Sequence, residues 1–151
     1  MMDMSKKTPT ERTAIAMGAV YLKTEVAELI RKKKLPKGDV LEAARLAGIL
    51  GAKRTSDMIP LCHPLPIEFA NLEFFVGKRK VEITAEVKTF AKTGVEMEAL
   101  FAVSMAALTI YDMCKPLDKE ILISDIRLVK KTGGKSGPYV RNARLKTRDS
   151  K

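Results

Sequence analysis

The stretch Ser56-Asp57-Met58-Ile59-Pro60-Leu61-Cys62-His63-Pro64-Leu65-Pro66 sets the only histidine of the chain, and one of its two cysteines, among three prolines. Each proline lacks an N–H, fixes φ and drives the residue before it toward an extended conformation. The segment therefore reads as a stiff, irregular loop, the kind of mount on which sites are built. His63 could carry a proton near neutral pH or donate to a phosphate oxygen, although a lone histidine is more often structural. Cys62 as a nucleophile would need a base and a lowered pKa. Nothing in the sequence supplies either, so it reads as a contact residue.

Asp112 and Lys115 stand three apart and can share a helix face. As a surface ion pair they are worth roughly 0–1 kcal/mol. As chemistry they are a carboxylate that moves protons beside a cation that stabilises developing charge. The end of a helix disfavours a carboxylate's charge, which predicts a raised pKa for Asp112. Glu96 and Glu98 suit the start of the same predicted helix, and a carboxylate there could accept from the N–H edge of a guanine-like ring. Arg12, Lys37, Lys53, Arg54, Lys131 and Lys135 each read alone as a solvated side chain. Several sit at predicted element ends, where they could converge. At ~4 Å and an effective dielectric near 20, each is worth roughly 4 kcal/mol against one phosphate charge before desolvation. Gly134-Lys135-Ser136 imitates the end of a P-loop, but Val129 stands where a glycine is required and Gly137-Pro138 where a helix should begin. An anion-binding loop is the reading that survives.

The elements that must position these groups follow from periodicity and punctuation. Arg12–Val20 reads as a strand. Thr24 is expected to cap a helix over Glu25–Lys34, with Val26, Leu29 and Ile30 on one face. Pro36-Lys37-Gly38 is a turn. Asp39, with Glu42 three residues on, opens a second helix to about Lys53-Arg54. Its face of Val40, Ala43, Ala44, Ala47, Leu50 and Gly51 is mostly small and predicts close packing. Pro66–Val76 and Lys80–Thr89 read as strands joined by a hairpin at Gly77-Lys78-Arg79. The second alternates Val81, Ile83, Ala85, Val87 with Glu82, Thr84, Glu86, Lys88. After a break at Ala91–Gly94, Val95–Met113 is the longest helix, nearly uncharged in its middle and so buried on more than one side. Pro116 stops it. Glu120–Lys130 is a further strand, and residues 132–137 a flexible loop. Hairpin-linked strands with helices on one face make an α+β sandwich.

The chain has 151 residues and a net charge of +10. That length suits one domain able to bury its own core without a disulfide or metal, with residues 1–10 and 138–151 expected to be flexible. No apolar run approaches the ~20 residues of a membrane helix, and the N-terminus carries no apolar signal region, so the expected location is the cytoplasm. Cys62 and Cys114 are expected to be reduced there. One histidine and two cysteines fall short of a closed tetrahedral metal site, and neither a metal nor a cofactor is assigned. The charge favours a polyanionic partner. A basic nucleic-acid-binding module is the rival reading, weakened by few aromatics and no recognition motif.

Four blocks together carry more information than any one of them: Ala52–Leu65, Lys92–Leu100, Ala106–Lys115 and Lys131–Gly137. They resemble the MoaC family of molybdenum cofactor biosynthesis, over about Met2 to Gly137. The resemblance implies a ferredoxin-like α+β protomer, assembled as a hexamer of three dimers with the active site between two subunits. It implies a lyase that converts 3′,8-cyclo-7,8-dihydroguanosine 5′-triphosphate to cyclic pyranopterin monophosphate, releasing diphosphate. It places the acid/base aspartate on Asp112, its catalytic neighbour on Lys115 and a further active-site lysine on Lys131. Substrate contacts fall on Leu61, Cys62, His63, Met97 and Glu98, and basic site residues on Arg12, Lys37 and Lys53. A shared site would also answer a problem of length. Glu96 and Asp112 lie roughly 24 Å apart along one helix, and antiparallel copies could bring such ends to one ligand.

Overall fold

The structure is a computed structural model that describes residues 1–142. Its strands are β1 (Thr10–Tyr21), β2 (Phe69–Val76), β3 (Lys80–Ala91), β4 (Leu122–Thr132) and β5 (Tyr139–Val140). Its helices are α1 (Thr24–Arg31), α2 (Val40–Lys53), the single turn α3 (Thr55–Met58) and α4 (Glu96–Cys114). The strands form one antiparallel sheet in the order β2-β3-β1-β4-β5. Apart from the short β5, this is the split β-α-β arrangement of a ferredoxin-like α+β fold.

The alternation in β3 is realised residue for residue: Val81, Ile83, Ala85 and Val87 are fully buried. They lie opposite Val20, Gly18, Ala16 and Ala14 of β1, so the two central strands present one apolar face to the helices. α4 lies across that face with Ala99, Ala102, Val103, Ala106, Ala107 and Ile110 fully buried. By length and composition α4 could cross a membrane, a point at which the apolar-run expectation needs correcting. Here it is a core helix, held against the sheet and α2.

α2 packs on α4 through small residues. A side chain at Gly48 would collide with Leu72 and approach the Ala102 carbonyl oxygen to 3.0 Å, and one at Gly51 would reach Met105 Cγ at 2.8 Å. Leu50, expected on this inner face, is instead half exposed, because the helix turns it past the contact stripe. Asp39 caps α2 as its spacing predicts, its Oδ1 accepting from the Glu42 N–H at 3.3 Å.

Several boundaries differ from expectation. α1 is capped at Lys23 rather than Thr24, with no side-chain cap. The Lys23 N–H is taken instead by the buried Asp118 carboxylate at 2.8 Å, a long-range partner that the local sequence does not reveal. α1 also stops at Arg31, short of Lys34, because Lys33 turns left-handed (φ 54°) and Lys34 N–H bonds back to Leu29. β2 begins at Phe69 and not Pro66. β3 runs on to Ala91, and β4 is shifted to Leu122–Thr132. The proline stretch is not wholly irregular, since its first residues complete α3. Thr55 makes this possible: its buried hydroxyl donates to the Gly51 and Ala52 carbonyls at the end of α2. Ile59 then turns extended ahead of Pro60.

Candidate active site

The proline loop is fastened where it rejoins the sheet. Thr89 of β3 donates its hydroxyl to the Pro66 carbonyl, and Glu68 N–H bonds Lys88. The loop therefore packs beside the first turn of α4. Leu61, Cys62, His63, Met97 and Glu98 line a cavity of about 270 Å³ there, together with Glu96. Glu98 is only 4% exposed, and burial pushes its carboxyl up to about 7 against the pull of its own backbone N–H, with Glu96 adding to the rise. Near neutrality it is thus poised between giving and accepting a proton. Burial and the Glu98 charge raise the Cys62 thiol, which argues against a resting thiolate. Cys62 and Cys114 are both free thiols.

A second cavity of about 650 Å³ adjoins the first and shares Thr93, Gly94 and Glu96 with it. The two form one trough. Arg12 of β1, Lys131 of β4 and Lys135 of the following loop converge here because β1 pairs with β4, with Ala14 opposite Lys131. Lys131 Nζ lies 3.5 Å from Glu96 Oε1 and donates to Ser136 Oγ at 2.6 Å. Gly133 and Gly134, at φ 91° and 84°, fold over the Arg12 side chain so closely that a Cβ on Gly134 would collide with Nη1. Arg12 Nη2 donates to the Lys92 carbonyl at 3.3 Å, while its buried Nε has no partner. Arg12 thus adds a guanidinium charge to the wall of a basic cavity, which suits an incoming anion.

Asp112 and Lys115 lie elsewhere. Asp112 is in the last turn of α4 and Lys115 is its C-cap, about 24 Å along the axis from Glu96. Lys115 Nζ is 2.8 Å from Asp112 Oδ1, and Lys37 Nζ is 3.3 Å from Oδ2 while also bonding the Asp112 carbonyl at 3.1 Å. These two ammonium groups, Lys115 first, hold the Asp112 carboxyl below its ordinary value. The expected rise is therefore overturned, because paired cations outweigh the helix end. Asp112 also raises Lys115 in return. Lys53 and Arg54 are exposed at the end of α2 and line neither cavity. Within the chain the candidate site residues thus fall into a trough and a separate Lys37–Asp112–Lys115 cluster at opposite ends of α4.

The sequence pattern of the MoaC family matches residues 1–134. The chain belongs to the MoaC family. It is 57% identical over 143 residues to the cyclic pyranopterin monophosphate synthase of Heliobacterium modesticaldum, covering 93% of this chain and 90% of that one. It is 55% identical over 148 residues to the synthase of that name from Desulfitobacterium hafniense, covering 97% and 91%. Against the Streptomyces coelicolor synthase it is 55% identical over 142 residues, covering 94% and 84%.

Some members of the trough carry no signal in a single sequence. Lys92 stands at the head of the second MoaC-like block, yet only the β1–β3 pairing brings it beside Arg12. Met2, Met4, Lys6 and Lys7 look like an ordinary polar N-terminus, and their place in the two cavities depends wholly on tertiary contacts.

Proposed function

We infer that this MoaC-family enzyme is a lyase of molybdenum cofactor biosynthesis that takes 3′,8-cyclo-7,8-dihydroguanosine 5′-triphosphate to cyclic pyranopterin monophosphate and diphosphate, in the cytoplasm. The observation that carries the reading is the continuous trough. Its Cys62–His63–Met97–Glu98 end has the size and mixed polarity for a fused ring system, and its Arg12–Lys131–Lys135 end has the charge for phosphates. Glu98 accepts the N–H edge of the ring, and His63 orients the base or the phosphates. Asp112 acts as the proton-moving carboxylate, entering ionised because Lys115 and Lys37 hold it so. Lys115 and Lys131 stabilise charge as an oxygen attacks the phosphate next to the sugar and diphosphate leaves.

For both groups to act on one ligand, Asp112 and Lys115 come from a second protomer, consistent with assembly as a trimer of dimers. Exposed Leu46, Leu50 and Leu108 on α2 and α4 provide apolar surface for that contact. Lys37 reaches the ligand with them, and Lys53, exposed at the end of α2, supplies a further cation.

Incubating the purified protein alone with the cyclised nucleotide should release diphosphate and the cyclic phosphate product. Asp112→Asn should lower kcat by about 10²–10⁴-fold with far less loss of ligand binding. Full activity of that variant removes the assigned role, and no diphosphate from the unmodified protein removes the function.

A further inference from the structure

Residues 2–7 do not trail away from the trough but lie along it. The backbone turns at Ser5-Lys6, where the Ser5 N–H bonds Asp3 Oδ1 at 2.8 Å and the Lys7 N–H bonds the Met4 carbonyl at 3.1 Å. Two tethers from site residues hold this turn in place. His63 Nε2 donates to the Met2 carbonyl at 2.8 Å, and Lys92 Nζ donates to the Ser5 carbonyl at 3.2 Å. Met2 and Met4 thereby wall the ring-binding cavity, while Lys6 and Lys7 enter the lining of the basic one.

The charge count at the phosphate end changes accordingly. Arg12, Lys92, Lys131 and Lys135 face Glu96 there, and Lys131 is already paired with that carboxylate. Lys6 and Lys7 make no ion pair with a described carboxylate, so their charge is free for a ligand. With one of the four inner cations offset by Glu96, Lys6 and Lys7 add two further positive charges for a bound triphosphate.

We propose that residues 2–7 are a strap over the substrate, with Lys6 and Lys7 binding the phosphate chain and the Met2 carbonyl occupying His63 until the ligand displaces it. This rests on the reading of the trough as a triphosphate site. The methionines are flexible, apolar and readily displaced, which suits a cover that must open for entry. In the closed state the strap excludes water from the phosphates and strengthens each charge contact beneath it.

The test uses the full chain and inorganic tripolyphosphate, titrated at fixed ionic strength, beside steady-state turnover of the cyclised nucleotide. Lys6→Ala/Lys7→Ala should weaken tripolyphosphate binding by about tenfold and raise KM by a similar factor, with kcat within a few-fold of the parent. Lys34→Ala/Lys119→Ala removes the same net charge from exposed positions outside both cavities and should leave both constants within about twofold. Lys6→Arg/Lys7→Arg keeps the charge and should restore most of the affinity. Unchanged tripolyphosphate affinity in Lys6→Ala/Lys7→Ala, with the parent binding normally, overturns the strap. Equal losses in the two alanine pairs also overturn it, since the effect would then be bulk charge. A parent that binds no tripolyphosphate at all overturns the triphosphate reading itself.

Discussion

Glu98 sits in an environment far from that of an ordinary surface acid. It sits in the first turn of α4, where acids are common, yet it is nearly sealed, and its carboxyl titrates near 7 instead of 4.5. The sign of the linkage follows. Between pH 4.5 and about 7 the folded protein holds a proton that the unfolded chain has released, so stability falls as pH rises through that window. The loss is complete above the folded value and amounts to about 3 kcal/mol. Glu98→Gln should flatten this part of the pH–stability curve and make the variant the more stable form at pH 8. Urea titrations at pH 5, 6.5 and 8 check it, and parallel curves for the two proteins contradict it. Asp112 is the opposite case, a fully ionised carboxylate clasped by two lysines. Its partner Lys115 was legible from the i, i+3 spacing alone. Lys37 was legible only as a cation in a turn, because 75 residues separate it from Asp112.

The contact between α2 and α4 depends on two glycines that do different work. At Gly48 an added methyl meets the fully buried Leu72 and a backbone carbonyl, neither of which has room to retreat. At Gly51 the overlap is milder, with Met105 Cγ at 2.8 Å and Cβ at 3.2 Å, on a side chain that is only partly buried. Gly48→Ala should therefore cost about 1–3 kcal/mol through overpacking, despite a gain of roughly 1 kcal/mol in helix propensity. Gly51→Ala should cost less than Gly48→Ala, since its overlap is smaller. The urea midpoints of the two variants measure the contrast, and equal midpoints would refute the packing argument. Much at this scale could be read beforehand. The alternation of β3, the Asp39 cap, the small face of α2 and the stop at Pro116 are local signals with local consequences. The cap of α1 was misread because its partner, Asp118, arrives from the far end of α4. The Thr55–Met58 turn was hidden because prolines dominate the stretch that follows it. The trough was legible as residue types but not as a place. Arg12, Lys92 and Lys131 meet only through the register of β1 with β3 and β4.

At the scale of the whole molecule, the chain holds the trough at one end of α4 and the Lys37–Asp112–Lys115 cluster at the other. If each working site takes its trough from one chain and its aspartate from the next, defects in the two parts should complement. Asp112→Asn and Lys131→Ala proteins should each be nearly inactive when made alone. Co-expressed, they should regain up to roughly a quarter of parental activity, since half of randomly paired dimers are mixed and each mixed dimer has one intact site of two. No recovery in a preparation shown to contain mixed assemblies rules out a site shared in this way. The net charge of +10 acts over the same scale by drawing polyanions toward the surface from beyond contact range.

α4 itself acts as a measuring rod. Both of its ends carry ionisable groups, and its interior is an uncharged cylinder rich in alanine and other apolar residues. Adding or removing a single residue anywhere along it would swing one end by about 100° and shift it by about 1.5 Å relative to the other. Side-chain substitutions in the rod can be absorbed by repacking, but a change in its length cannot. If the working sites are shared between copies as proposed, the spacing between neighbouring reaction centres is written into the number of residues in one helix, and sequences that share this chemistry should vary in what that helix contains far more than in how long it is.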